Sequence, residues 1–245
     1  MKLTIKHYYD FGYHSKGLEG TLLNPVSWDH LRVGQNDSDN VFALPPDRSM
    51  WQERCLANQA LHQRAEAIVH ILKGNYHRVH SYGVGCACLE FLLKVKNSDL
   101  FLQCSDFTPL TVNRLKIIFL EADEITQFDM FKDNWKNTEN DCIHLLYRVD
   151  TEFDDAQWST VFEKMKKAGI KNILFIPDGF LNLRRMMTEK IKYIADQWRG
   201  KKMTFAGYLR TEDQFKFLFN KFYQIKSVEN IGDLKGFLLE LRGDV

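Results

Sequence analysis

Short apolar runs of strand length alternate with longer stretches of helical period through most of the chain, and the alternation sets in near residue 49. Ser49 and Gln52 have capping-box spacing, in which each side chain satisfies an orphan backbone donor at a helix start. Leu61, Ala65, Ile68 and Leu72 follow at helical spacing, and Gly74-Asn75 supplies the stop. The segment HRVHSYGVGCACLEFLLKVKNSDLFLQCSD, from His77 to Asp106, predicts a strand (His77 to Tyr82) and a glycine turn (Gly83, Val84, Gly85). A short helix through Leu89 to Lys94 comes next, then a second strand (Leu100 to Cys104) that stops at Asp106. Thr108-Pro109 reads as an N-cap with proline in the first helical position, opening a helix to about Glu121.

Ile125 to Phe128 is a short third strand ending at Asp129-Met130, and Cys142 to Val149 a fourth, nearly continuous in apolar residues as a buried parallel strand should be. Asp154 and Gln157 repeat the capping-box pattern before a helix that carries Trp158, Phe162 and Met165 inward and stops at Gly169. Lys171 to Ile176 is the fifth strand. Pro177-Asp178-Gly179 turns the chain into a long amphipathic helix, Leu181 to Trp198, whose Arg184, Arg185, Lys190 and Lys192 read as a solvated basic face. Thr211 and Gln214 open one more helix. Tyr223 to Val228 and Gly236 to Arg242, separated by Asn230-Ile231-Gly232-Asp233, pair as a hairpin. Strands alternating with helices predict an α/β fold with a parallel sheet between helical layers, closed by an antiparallel hairpin.

Residues 1–48 break this rhythm. Gly12, Gly17, Gly20, Pro25, Pro45 and Pro46 interrupt any long element, which predicts irregular structure, with Gly34 to Asn40 as a polar loop. The same segment holds Tyr8, Tyr9, Phe11, Tyr13, His14, Trp28 and His30, and disordered tails are poor in aromatics. It is therefore expected to pack as an extension or lid on a single domain spanning 49–245. No internal repeat or linker divides that domain.

Charge narrows the partners. Lys and Arg number 33 against 32 Asp and Glu, so no strongly electrostatic partner such as bulk duplex nucleic acid is indicated. No apolar run has membrane-helix length and the first residues lack a signal-peptide core, so no membrane association is expected. Five cysteines, an odd number, predict free thiols in a reducing cytoplasm. Cys86 and Cys88 have no similarly spaced second pair, so no metal site is expected and the thiols read as small buried side chains.

The chemistry concentrates in the first strand–turn–helix unit. Gly83 and Gly85 let the backbone approach a ligand where a Cβ would collide, and the turn aims a helix N-terminus at that ligand. Asp106, at the tip of the next strand, is placed to accept hydrogen bonds from ribose hydroxyls. On these residues the chain resembles the class I, Rossmann-like S-adenosylmethionine (SAM)-dependent methyltransferases, whose GxGxG-type turn appears here as Gly83-Val84-Gly85-Cys86-Ala87. It departs from that family in two places. Ser81 stands where the family has the acid that contacts the methionine amino group, and Ala87 stands in the third glycine position.

The resemblance covers about residues 50 to 245, and the terminal hairpin separates it from a plain dinucleotide-binding fold. It implies a three-layer fold with a seven-stranded, mostly parallel sheet, and SAM as cofactor. The cofactor-site candidates are Ser81, Tyr82, Gly83, Val84, Gly85, Asp106, Phe107, Asp129, Met130 and Tyr147, with Asp129 and Met130 in the adenine-binding roles. The implied acceptor is a small molecule or biosynthetic intermediate, with His14, His30 and Arg148 on its side. Asp150, just beyond the fourth strand, is the candidate base, and Glu152 lies two residues on. Two other readings stay open: a methyltransferase-fold partner or regulatory subunit with weak cofactor binding, and a nicotinamide-dependent oxidoreductase.

Overall fold

The computed structural model describes residues 1–10, 18, 21, 23–33, 42–136 and 139–243. The chain opens with strand β1 (Thr4–Tyr9) and helix α1 (Pro25–Val33), followed by α2 (Arg48–Ala57) and α3 (Gln59–Leu72). The body then alternates as β2 (Arg78–Tyr82), α4 (Cys88–Lys96), β3 (Phe101–Asp106), α5 (Pro109–Ile118), β4 (Glu124–Gln127), β5 (Cys142–Tyr147), α6 (Asp155–Lys167) and β6 (Asn172–Ile176). It closes with α7 (Leu183–Trp198), β7 (Thr204–Arg210), α8 (Glu212–Phe219) and the hairpin β8 (Tyr223–Ile231) and β9 (Leu234–Leu241).

Seven of these strands form one sheet in the order β4-β3-β2-β5-β6-β9-β8, parallel from β4 to β6 and antiparallel across β6, β9 and β8. This is the α/β architecture expected from the sequence. The strand order reverses at β2, which has β3 on one side and β5 on the other. A crevice therefore opens beyond the carboxyl ends of those strands, where ligands bind in open α/β sheets. Two apolar clusters pack the sheet. One joins it to α2–α5 through Trp51, Ile68, Leu92 and Leu115, and the other to α6 and α8 through Trp158, Phe162 and Phe219.

Local chemistry corrects the expected elements in several places. The single helix foreseen from Ser49 is two helices. Asp47, not Ser49, caps α2 by accepting the Met50 N–H at 3.0 Å, and the Ser49 hydroxyl donates to the same carboxylate. Asn58 ends α2 in an extended conformation and caps α3 by accepting the Leu61 N–H at 3.1 Å. The Asp154/Gln157 capping box forms in both directions, at 2.8 and 2.9 Å. The Thr211/Gln214 box forms in one direction only, because the Gln214 amide donates to Asp155 instead.

The opening segment holds more regular structure than its glycines and prolines suggest. Besides α1, β1 pairs antiparallel with β7, from Thr4 opposite Arg210 to Tyr9 opposite Thr204, making a separate two-stranded sheet. Gly207, at φ +114°, lets β7 press against the loop after β5; a Cβ there would lie 2.2 Å from the Thr151 carbonyl oxygen. The loop Gly34 to Asn40 and the side chains of Phe11, Tyr13 and His14 lie outside the described residues.

Candidate functional site

The turn after β2 is left-handed at three positions: Gly83 (φ +64°), Gly85 (φ +57°) and Ala87 (φ +52°). A Cβ at Gly83 would lie 2.6 Å from Val149, and one at Gly85 would lie 2.6 Å from the guanidinium of Arg32. Backbone angle favours glycine at both positions; at Gly83 the close approach of Val149 adds to it, whereas at Gly85 the Arg32 side chain could move aside. Ala87 adopts the same region as N-cap of α4, where an L-residue costs roughly 1–2 kcal/mol. Its methyl group is 1% exposed, so burial offsets part of that cost.

Three carboxylates surround the turn. Asp106, at the end of β3, accepts the Gly85 N–H and the Thr108 N–H, each at 3.0 Å. Glu90, in the first turn of α4, accepts a hydrogen bond from the buried Ser81 hydroxyl at 2.7 Å. Burial pushes the Glu90 carboxyl up to about 7, with the Asp106 charge adding to the rise. Glu152, in the loop after β5, is raised to about 8 by burial first and then by Asp106 and Asp150. It lines a cavity and is half-buried.

That loop is held rigidly. Arg210, fully buried on β7, donates to the carbonyls of Asp150 (2.7 Å) and Phe153 (2.5 Å) and to the Asp155 carboxylate (2.7 Å). Asp150 is 2% exposed, and its own carboxylate accepts the Asp178 N–H at 2.8 Å, tying the end of β5 to the end of β6. Burial raises it to about 7.

The cavity at the carboxyl ends of the strands has a volume of about 1230 Å³. Gly83, Val84, Gly85, Asp106, Phe107, Asp129, Met130, Tyr147 and Arg148 all line it, so the structure brings together most of the residues singled out from the sequence. Asp129 caps its own turn, accepting the N–H groups of Phe131 and Lys132. The Tyr147 hydroxyl is held at 2.6 Å by Arg64, which also grips Asp233 with two hydrogen bonds. Arg148 (φ +55°) is paired with Asp178.

Four expected site residues stand elsewhere. Ser81 is fully buried behind the turn against Glu90. The Tyr82 ring enters the apolar core, stacked between His80 and His144, with its hydroxyl 2.8 Å from Nδ1 of each. Asp150 is consumed by the loop and does not line the cavity. His30 is exposed on α1, also away from the cavity.

Glu152, noted from the sequence beside Asp150, does line the cavity. Glu90, which the sequence pattern did not single out, joins it as a second carboxyl raised by burial. Arg32, 8% exposed, lies over the glycine turn, donates to the Phe42 carbonyl at 2.6 Å, and has no hydrogen-bond partner for its buried Nε. Pro25, Trp28 and residues 42–46 extend the wall from the N-terminal side, and Arg185 of α7 reaches it from the other. Among the described residues no cluster of His, Cys, Asp and Glu side chains is placed to hold a metal, and no helix is long and apolar enough to cross a membrane.

No family model matches this chain, and no curated protein matches it. Solved structures do. Human N-acetylserotonin methyltransferase, crystallised with SAM, superposes with a TM-score of 0.56 at 18% identity, over 89% of this chain and 66% of that one. The pyocyanin biosynthetic protein PhzM gives a TM-score of 0.55 at 15% identity, over 80% of this chain and 62% of that one. A TehB-like SAM-dependent methyltransferase from Corynebacterium glutamicum gives 0.55 at 11% identity, over 79% of this chain and 95% of that one. The chain thus has the fold of the SAM-dependent methyltransferases. It spans slightly less than two thirds of the length of the first two neighbours.

Proposed function

We propose that the protein is a SAM-dependent methyltransferase acting on a small-molecule acceptor. The observation that carries this reading is the convergence of Glu90, Asp106 and Glu152 on a glycine turn, with Glu90 and Glu152 raised first by burial and then by the Asp106 charge. Such a site favours a cation. SAM carries a sulfonium and an ammonium, whereas the pyrophosphate of a nicotinamide dinucleotide would bring two negative charges against the Asp106 carboxylate and two acids whose ionisation burial already opposes. That repulsion disfavours the oxidoreductase reading.

The residues present fit the cofactor. The cradle at Gly83 and Gly85 admits it, and Asp106 keeps lone pairs free for ribose hydroxyls. Asp129 and Met130 are placed for the adenine, and the orphaned Nε of Arg32 is a donor for the amino-acid carboxylate. Glu90 takes the place of the acid missing at Ser81: the serine hydroxyl hands the role to a carboxylate arriving from the helix. When bound, SAM supplies a methyl group already activated by positive sulfur. The protein then needs chiefly to align and to exclude water.

The described parts of the N-terminal segment, Pro25, Trp28, Arg32 and residues 42–46, act as the lid on the acceptor side, and the cavity, larger than the roughly 300–1,000 Å³ usual for one ligand, leaves room for an acceptor beside the cofactor. Glu152 is the group placed to take a proton from a hydroxyl or amine acceptor. Arg148 and Arg64, paired as they are, form the polar rim.

Calorimetric titration with S-adenosylhomocysteine, with NAD as control, tests the reading. Micromolar affinity for the first and none for the second is expected, with Asp106→Ala weakening binding by about 1–3 kcal/mol. A folded protein that binds neither ligand would return the fold to a partner or regulatory role.

A further inference from the structure

Helix α7 is built inside out. Leu183, Met187, Ile191, Ile194 and Trp198 are 64%, 55%, 64%, 54% and 89% exposed. At 3.6 residues per turn they fall within an arc of about 80° on one face. The opposite face is polar and packed. Arg185 approaches Asp178 at 4.0 Å, Glu189 approaches His7 at 3.1 Å, and Asp196, 3% exposed, meets Lys201 at 3.4 Å. A surface helix normally turns its apolar stripe to the core. Here polar contacts, among them the Arg185–Asp178 and Lys201–Asp196 ion pairs, hold the helix with that stripe outward, and contiguous exposed apolar surface of this kind marks an interaction site.

We propose that this face is the interface of a two-fold dimer in which α7 packs antiparallel against its copy. The stripe is self-complementary, as an isologous contact requires. Leu183 with Trp198, and Met187 with Ile194, lie symmetrically about the midpoint between Lys190 and Ile191, with Ile191 half a residue from it. A two-fold axis through that midpoint lays Leu183 on Trp198 of the partner subunit, Met187 on Ile194 of the partner subunit, and Ile191 beside its own copy. Five large, mostly exposed side chains offer on the order of 500 Å² per protomer, or roughly 1,000 Å² for the pair, the lower bound of a specific interface. The first turn of the same helix carries Arg185 into the cavity wall, so the dimer contact also braces that wall.

The arrangement makes a geometric prediction independent of the reaction. The intact chain sediments as a dimer at tens of micromolar, and Ile191→Asp, an exposed change that leaves the circular-dichroism spectrum unaltered, sediments as a monomer. Under mild oxidation Ile191→Cys cross-links to itself on a non-reducing gel beyond the background of the native thiols. Leu183→Cys alone does not, because antiparallel packing holds the two copies of that position roughly 22 Å apart; a mixture of Leu183→Cys and Trp198→Cys does. A monomeric parent protein, a dimer indifferent to Ile191→Asp, or self-cross-linking of Leu183→Cys overturns the proposal. Monomers that co-sediment with anionic phosphatidylglycerol vesicles through this face would overturn it too and reassign the stripe to a lipid surface.

Discussion

Replacing Glu90 by glutamine separates the cost of the buried acid from its use. The side chain is 2% exposed, and its carboxyl rises from 4.5 to about 7. A raised carboxyl is protonated in both states at low pH. Between 4.5 and about 7 the unfolded chain gives up the proton while the folded protein keeps it, so stability falls as pH rises, by about 1.4 kcal/mol per unit. Glutamine retains the shape and the oxygen that accepts the Ser81 hydroxyl. Its amide adds donors that need partners, at a cost of about 1–3 kcal/mol, but that cost does not change with pH.

The quantity to measure is therefore the difference between Glu90→Gln and the parent protein in urea unfolding free energy, at pH 5 and at pH 8. That difference should move in favour of the variant by roughly 2–3 kcal/mol between the two pH values. In parallel, affinity for S-adenosylhomocysteine should fall 10- to 100-fold, the loss of one charge-assisted hydrogen bond of about 1.5–3 kcal/mol. A pH-independent difference would show that Glu90 ionises as freely as in the unfolded chain. An unchanged affinity would remove it from the amino-group subsite.

Two further tests address the other buried groups. With Glu152 as the base, kcat/KM for a hydroxyl acceptor rises with pH, is half-maximal near 8 and levels off about a unit above it, and Glu152→Gln abolishes that limb and lowers kcat by about 10²- to 10⁴-fold while leaving S-adenosylhomocysteine affinity within a few-fold; a retained limb would place the base elsewhere. Burial lowers His80 and His144, the latter to about 3, so their contribution to stability is complete above 6.5 and is lost as pH falls towards the folded value. His144→Leu should accordingly gain on the parent protein by about 1.4 kcal/mol per pH unit as the solution is acidified below 6.5, as read from urea midpoints; parallel pH curves would show that the imidazole is hydrated.

Much of the frame was readable from residue types because local chemistry and tertiary packing agree. Thr108-Pro109 caps α5 as its pattern requires, the Asp154/Gln157 box forms, and the glycine turn falls where β2 ends. What escaped was set by contacts distant in sequence. Glu90 reads as an ordinary charged position of a helix, and only its hydrogen bond to Ser81 brings it into the site; the missing acid at 81 was itself the cue to look for a substitute nearby. Arg32 lies on a helix hidden among prolines, and nothing local tells that it covers Gly85. Asp150 was the natural choice at the end of a strand, yet the turn points its carboxylate at the Asp178 amide and leaves the cavity to Glu152. Tyr82 sits one residue before the first glycine, and strand alternation sends its ring to the opposite side of the sheet.

The small sheet of β1 and β7 has a consequence for how the molecule comes into being. Its first strand, ending at Tyr9, is synthesised long before its partner, which starts at Thr204. Closing a loop of that length costs only about 0.6 kcal/mol more than closing one half as long, so the delay is one of order rather than of energy. Domains fold as they are synthesised, and this one has its glycine turn and all five parallel strands available before residue 204 exists. For that interval the cleft stands open, its N-terminal wall unattached. The nascent chain has the floor of its cleft long before it has this wall.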